Sequence, residues 1–284
     1  MRMKCAIVTG STGFIGSHLM RRLQSEGVNV TGLARSRGFD ILEDDLPLAN
    51  VDHVYHLAGL TFVPRSWEDP VSFHEVNAHG TIRVLDQCRQ RGVSITYVSA
   101  FVYGVPNKLP VDEQMPARPD SPYAFSKLAA ENACRFFAEA YGARVGILRP
   151  FNVYGPGQND AFLVPTIVRQ VLDPAVKEIV VASLAPRRDF VYIADMVEAL
   201  VRAPALPNAL PVNVGSGRSY SVEDVVRTSL ACAGASKPYR ERGETRRSEI
   251  LDVVADITAI EHACSWRPKV DLISGIRSVV ESLK

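Results

Sequence analysis

Three residues in this chain have the types and spacing for acid–base chemistry at an alcohol or ketone carbon: Ser99, Tyr123 and Lys127. A tyrosine hydroxyl can give or take the proton, but its ordinary pKa of about 10 is too high for efficient work near neutrality. A lysine four positions later in a helix shares its face, and its charge lowers that pKa by stabilising the phenolate. A serine at the end of a preceding strand would orient and polarise the same oxygen. Together they suit hydride transfer coupled to proton transfer. A Tyr–Lys pair at this spacing is common on helix surfaces, so the reading rests on order along the chain: a glycine turn, a strand ending in serine, then Tyr123 and Lys127 opening a helix.

The elements that must position these groups can be read in sequence. Cys5 to Val8 is a short apolar strand, followed by Gly10, Gly13 and Gly16 and a helix that stops near Gly27. Strand, glycine turn and helix N-terminus make a pyrophosphate site, because glycines let backbone approach the ligand and free amides with the helix dipole favour its charge. Thr12, Phe14 and Ile15 belong to that turn and are expected to touch a dinucleotide. A second strand, Val28 to Leu33, ends where the adenine ribose would lie. An acidic residue there holds the 2′-OH of NAD, whereas arginine accommodates the 2′-phosphate of NADP. Here Ala34 stands in that place, with Arg35 and Arg37 beside it, so NADP(H) is expected over NAD(H). Asp40 and Ile41 are placed to reach the adenine.

Val51 to Gly59 reads as an apolar strand whose small ending, Leu57-Ala58-Gly59, would pass close to the cofactor. His56 within it is expected to be a packed core residue. Trp67 to Pro70 marks a loop, Pro70 to Gln90 a helix, and Asn77 within that helix a bland surface position. Ser94 to Ser99 is a strand that delivers Ser99 at its C-terminal end, where open α/β sheets bind ligands. The segment from Ser121 to Gly142 is a long helix, and Arg144 to Leu148 a strand running to Pro150 at the cofactor and on into a Gly/Pro-rich turn. Arg187 to Phe190 reads as a polar entry to a helix over 191–201, and Ser221 as the N-cap of a later helix.

Composition excludes several function classes. With 32 basic and 31 acidic residues the net charge is +1, which gives no reason to expect nucleic acid or a membrane surface as partner. The five cysteines are scattered and never form CxxC, so they are expected to be reduced thiols of a cytoplasmic protein with no metal site. No apolar run approaches membrane-spanning length.

Taken with these features, the motifs TGSTGFIG, HLAG, SWEDP with NAHGT, SAFVYG, SPYAFSK, RPFNVYGPGQ, RRDFVYIADM and VNVGSG resemble the extended short-chain dehydrogenase/reductase family, in its nucleotide-sugar epimerase/dehydratase branch. They run through nearly the whole chain in the family's order. The resemblance implies an α/β fold: a doubly wound, parallel-sheet Rossmann domain over 1–157, to which 190–215 returns, and a smaller interrupted C-terminal substrate domain over 158–189 and 216–284. It implies Ser99, Tyr123 and Lys127 as the catalytic residues, with Tyr123 and Lys127 also touching the cofactor. It implies that Ser99 contacts a nucleotide-diphospho-sugar whose phosphates meet Asn152, Arg188 and Arg246. It further implies a homodimer formed through the helices of 70–90 and 123–141.

Departures from the family pattern narrow the reaction. The 4,6-dehydratases and the decarboxylases place acidic residues straight after the catalytic hydroxyl, where this chain has Ala100 and Phe101. What remains is reduction of a 4-ketosugar or 4-epimerisation through a transient ketone. The missing ribose acid favours the reductase. The stretches RPFNVYGPGQ and SPYAFSK look most like GDP-6-deoxy-4-ketohexose reductases, yet occur in 4-epimerases too. A cofactor-binding sensor without catalysis, and a reductase of small non-nucleotide ketones, are the readings of other kinds.

Overall fold

Short β-branched runs alternating with amphipathic helices demand a parallel sheet with helices on both faces. The computed structural model describes residues 3–244 and 250–284. Strand β1 (Cys5–Thr9) leads through the glycine turn to α1 (Phe14–Ser25) and β2 (Asn29–Leu33), and β3 (His53–His56) follows an irregular acidic stretch. Helices α2 (Val63–Glu68), α3 (Pro70–His74) and α4 (Gly80–Arg91) cross to β4 (Ser94–Val98), and α5 (Pro122–Tyr141) crosses to β5 (Val145–Pro150). The chain continues through β6 (Asn152–Tyr154), α6 (Leu163–Leu172), β7 (Ile179–Val181), β8 (Arg187–Tyr192), α7 (Ile193–Arg202) and β9 (Pro211–Val214). It ends with β10 (Ser219–Ser221), α8 (Val222–Ala233), β11 (Tyr239–Glu241), α9 (Thr258–Cys264) and α10 (Leu272–Leu283).

The main sheet has the order β2-β1-β3-β4-β5-β9 with every pair parallel. The chain builds β2 on one side of β1 and then crosses to the other for β3. That reversal opens a crevice beyond the C-terminal ends of β1 and β3, the place where doubly wound sheets bind ligands. One face of the sheet packs on Leu19, Leu23, Met196, Leu200 and Trp266, the other on Val84, Leu85, Ala130 and Cys134. A second core, of Val164, Val168, Val225, Ile276 and Val280, joins α6, α8 and α10 around a three-stranded sheet of order β10-β8-β6. Among the described residues no helix is long and apolar enough to cross a membrane.

Three local expectations are corrected. Residues 187–192 form a strand and the helix begins only at Ile193. The segment pairs with 152–154 on one side and 219–221 on the other, and the fully buried Asp189 carboxylate accepts the amides of Ser216 (2.5 Å), Gly217 (2.9 Å) and Ala255 (3.0 Å). Residues 63–68 are a short helix where Trp67 suggested a loop. The helix over 70–90 is broken between α3 and α4 by a π-turn, Glu75–His79. That widened turn aims Asn77 inward, so it is buried rather than on the surface.

Candidate active site

The glycine turn is built by close approach. Gly10 has φ +68°, and a Cβ on it would lie 2.8 Å from the Ala58 amide; a Cβ on Gly16 would lie 2.2 Å from the Gly10 carbonyl. The loop after β3 is fastened to the same place, because the Leu57 amide donates to the Thr9 carbonyl (3.3 Å) and the Ala58 amide to Thr9 Oγ1 (3.2 Å). At its N-cap Gly13, α1 has no side-chain cap, which leaves the amides of Phe14, Ile15 and Gly16 without intrahelical partners. The Ser11 hydroxyl is buried without a partner in the same turn. Uncapped amides, a backbone cradle no side chain could share and an orphaned hydroxyl fit a dinucleotide pyrophosphate.

Past β2, Arg35-Ser36-Arg37 form one 3-10 turn, and Ser36 Oγ lies 2.9 Å from Thr12 Oγ1, joining the ribose end to the glycine turn. Ser36 was not singled out in sequence; its contact with Thr12 across 24 positions is visible only in the fold. The exposed Arg35 pairs with Asp40 at 3.3 Å, so Asp40 answers the arginine at the rim. Ile41 is buried against Gly80, while its carbonyl accepts from Arg83 Nε (3.1 Å). Pro150 ends β5 at the same edge of the sheet.

Ser121 caps α5 by accepting the Ala124 amide at 3.2 Å, and this start sets Tyr123 and Lys127 one turn apart. Lys127 Nζ stands 4.4 Å from the centre of the Tyr97 ring, and a Cβ on Gly59 would come within 4.0 Å of it. Burial pulls the lysine down to about 7 and pushes the Tyr123 phenol up to about 12. In the protein by itself burial governs the phenol, and both groups are driven towards their neutral forms. Asn77 braces this corner: its carboxamide accepts the Leu60 amide (2.8 Å) and donates to the Leu60 carbonyl (3.0 Å) and Ser126 Oγ (2.9 Å). His56 is the packed histidine expected, held between Thr9 Oγ1 (2.7 Å) and Thr81 Oγ1 (3.0 Å), with burial lowering its pKa to about 3.

Ser99 donates its hydroxyl proton to Glu131 Oε2 at 3.0 Å. Glu131 lies one turn beyond Lys127 on α5 and is also paired with Arg149 of β5 and with Arg135. Arg149 Nη1 in turn donates to the Tyr103 hydroxyl (2.9 Å), which donates to Asn213 Oδ1 on β9 (2.6 Å). This buried chain fixes Ser99 relative to the helix that carries Tyr123 and Lys127. Glu131 could have been found by its spacing, since Tyr123, Lys127 and Glu131 recur every fourth position on one face.

On the far side of the crevice, β6 and β8 pair in parallel register, and Asn152 Nδ2 donates to the Asp189 carbonyl at 3.1 Å. Arg188 donates to the carbonyls of Arg187 (2.8 Å) and Ile250 (2.5 Å), and its charge reaches Asp120 just ahead of α5. Asn152 and Arg188 thus sit on neighbouring strands; Arg246 lies outside the described residues.

With this geometry established, a family model described as the NAD dependent epimerase/dehydratase family matches residues 6–215. The chain belongs to that family. Its curated relatives include a GDP-6-deoxy-D-mannose reductase of Pseudomonas aeruginosa, 30% identical over 96% of this chain and 95% of the relative. They also include a putative UDP-glucose 4-epimerase of Methanocaldococcus jannaschii, 32% identical over 98% of each. Among solved structures, an NAD-dependent NDP-hexosamine 5,6-dehydratase involved in tunicamycin biosynthesis aligns with TM-score 0.91 at 34% identity, covering 99% of this chain and 97% of that one. RMD from Pseudomonas aeruginosa complexed with NADPH aligns with TM-score 0.90 at 30% identity, over 98% of each. This family member is therefore an NAD(P)-dependent enzyme of the nucleotide-sugar epimerase, reductase and dehydratase group.

Proposed function

We propose that the protein reduces the 4-keto group of a nucleotide-diphospho-sugar, drawing on NADPH. The observation that carries this reading is the ribose end of β2, where Ala34 stands in the acidic position and the Arg35–Arg37 turn meets Thr12 through Ser36. A 2′-phosphate there would find two guanidinium groups and a hydroxyl pair, whereas a bare 2′-OH would find no carboxylate in the usual place. A reductase must exchange its spent cofactor at each turnover, which an exposed ribose end allows.

In this reading a nicotinamide held between the glycine turn and Lys127 would supply the hydride for C4. Tyr123 delivers its proton to the C4 oxygen, converting the ketone to the alcohol, and is restored from solvent. Lys127 stabilises the phenolate that Tyr123 leaves behind. Ser99, whose own proton is held by Glu131, presents its lone pairs to the newly formed hydroxyl. Asn152, Arg188 and Arg246 hold the diphosphate, the arginine forks pairing with phosphate oxygens. Elimination of water is disfavoured because Ala100 and Phe101 follow Ser99; the Phe101 ring packs against Tyr103 and Phe151, with centroids 5.4 and 5.2 Å away. The same residues would serve 4-epimerisation with retained NAD, the activity named for the 32% identical relative. Apolar side chains on the outer faces of α3, α4 and α5, among them Val71, Phe125 and Phe136, support a homodimer through these helices. The five free cysteines support a cytoplasmic setting.

The test is to denature freshly purified protein and identify any released nucleotide by mass spectrometry. Protein that emerges empty and binds NADPH more tightly than NADH supports the reductase, and a panel of 4-keto sugar nucleotides then finds the substrate. Stoichiometric NAD⁺ overturns the reductase in favour of the epimerase.

A further inference from the structure

Lys127 has been described by its helix, but what lies beneath it comes from the sheet. Strands β3 and β4 pair in parallel register with His56 opposite Tyr97, so both rings leave the sheet on one face. Their centroids are 5.9 Å apart, and both side chains are closed to solvent. Lys127 Nζ lies 4.4 Å from the Tyr97 ring centre, and the Tyr97 hydroxyl returns to the Lys127 backbone carbonyl at 3.3 Å. One tyrosine therefore touches both ends of the lysine.

The groups around the ammonium leave this ring a specific task. On its own helix Lys127 is near Tyr123, Glu131 and Cys134; from the sheet it is faced by His56 and Tyr97. The Glu131 carboxylate is already taken up by Arg149, Arg135 and Ser99. Cys134 is held as a neutral thiol by burial. His56 is kept neutral by burial and by the lysine's own charge, so the floor carries no second cation. A buried ammonium without a committed carboxylate loses its proton unless something else favours the charge. The face of an aromatic ring does so, and more strongly where water is excluded.

We propose that Tyr97 is a positioning residue for Lys127, its ring face carrying the ammonium so that the lysine stays charged and at the height where it serves Tyr123. The proposal rests on the catalytic reading of Lys127 given above. What matters is the ring and its electron density; the phenol hydroxyl contributes only a long contact to backbone.

The test replaces Tyr97 with phenylalanine and then, at unchanged shape, with 4-fluoro-, 3,5-difluoro- and 3,4,5-trifluorophenylalanine. Fluorine drains the ring face stepwise without opening a cavity, and the urea midpoint of each variant is compared with that of Tyr97→Phe to separate overpacking from loss of ring charge. The Lys127 midpoint is followed in cofactor-free protein by NMR of ¹³C-labelled lysine, and turnover of a 4-keto sugar nucleotide is measured alongside. Tyr97→Phe sets the reference midpoint and kcat against which the fluorinated series is read. The fluorinated series lowers the midpoint progressively, by about one pH unit at the end, and kcat falls in the same order while KM for the ketosugar holds. A fluorinated series indistinguishable from phenylalanine overturns the proposal, as does a Tyr97→Phe variant as impaired as the trifluoro form. Wild-type protein that turns over no nucleotide sugar sinks the functional reading instead, and the lysine midpoint still decides the role of the ring.

Discussion

Ser99 Oγ and Glu131 Oε2 are joined by a 3.0 Å hydrogen bond in which the serine is the donor, with both residues closed to solvent. A hydroxyl has one proton, and here it is committed to a carboxylate. Towards the crevice Ser99 therefore offers lone pairs, which suit the hydroxyl formed at C4 better than the ketone it replaces. Glu131 is also the counter-charge of the buried Arg149. Glu131→Ala is expected to cost about 3–5 kcal/mol, because it strands that guanidinium in the core. Replacing both, Glu131→Leu with Arg149→Met, is expected to cost less than the single change. Urea unfolding of the two variants checks this; a double variant less stable than the single one refutes it.

Tyr123 is expected to carry the proton. Tyr123→Phe keeps the ring, and with it the packing against Phe73 at 6.3 Å. Turnover of a 4-keto sugar nucleotide is expected to drop about 10²–10⁴-fold while NADPH affinity, read by fluorescence titration, holds. Retained turnover would remove Tyr123 from the mechanism and leave the proton to another donor.

Much of this site is legible in sequence because it depends on short spacings. The glycine turn and the Tyr–Lys turn are local, and local geometry converts spacing into position. The residues that stayed hidden are those whose meaning depends on distant partners. Arg149 lies 18 positions beyond Glu131 and looks like surface charge until α5 and β5 pack together. Asn77 reads as an indifferent helix residue, because nothing local announces the π-turn that points it at Leu60 and Ser126. Asp189 sits in a polar run, and only the folded chain brings the amides of 216, 217 and 255 to its buried carboxylate.

The ribose end is expected to set cofactor choice. Ala34→Asp places a carboxylate where a 2′-phosphate would lie and where a 2′-OH would welcome it. The ratio of NADPH to NADH affinity is expected to fall about ten- to a hundred-fold, as for loss of a hydrogen bond to a charged group. Isothermal titration with both cofactors measures it. An unchanged ratio would show that position 34 does not face the adenine ribose.

Phe136 on α5 is 57% exposed and apolar, so a charge there leaves the fold alone. If α4 and α5 form the dimer contact, Phe136→Glu is expected to give folded monomers by analytical ultracentrifugation, with an unfolding midpoint lowered by the loss of the dimer. A wild-type protein that already sediments as a monomer would dispose of the dimer.

Stability is expected to decline in acid for a reason located in two histidines. His53 and His56 are both buried, and burial lowers each from 6.5 to about 3. Between those values the unfolded chain binds protons that the folded protein refuses, so more protons are bound in the unfolded state and stability rises with pH. The contribution is complete above 6.5 and is lost as the pH falls towards 3. His53 bonds Ser94 Oγ and Thr96 Oγ1, both at 2.8 Å, an arrangement a neutral glutamine can partly copy. His53→Gln is therefore expected to flatten the decline in urea midpoint between pH 6.5 and 4, whatever it does to stability at pH 8. An equally steep decline in that variant would place the acid sensitivity elsewhere.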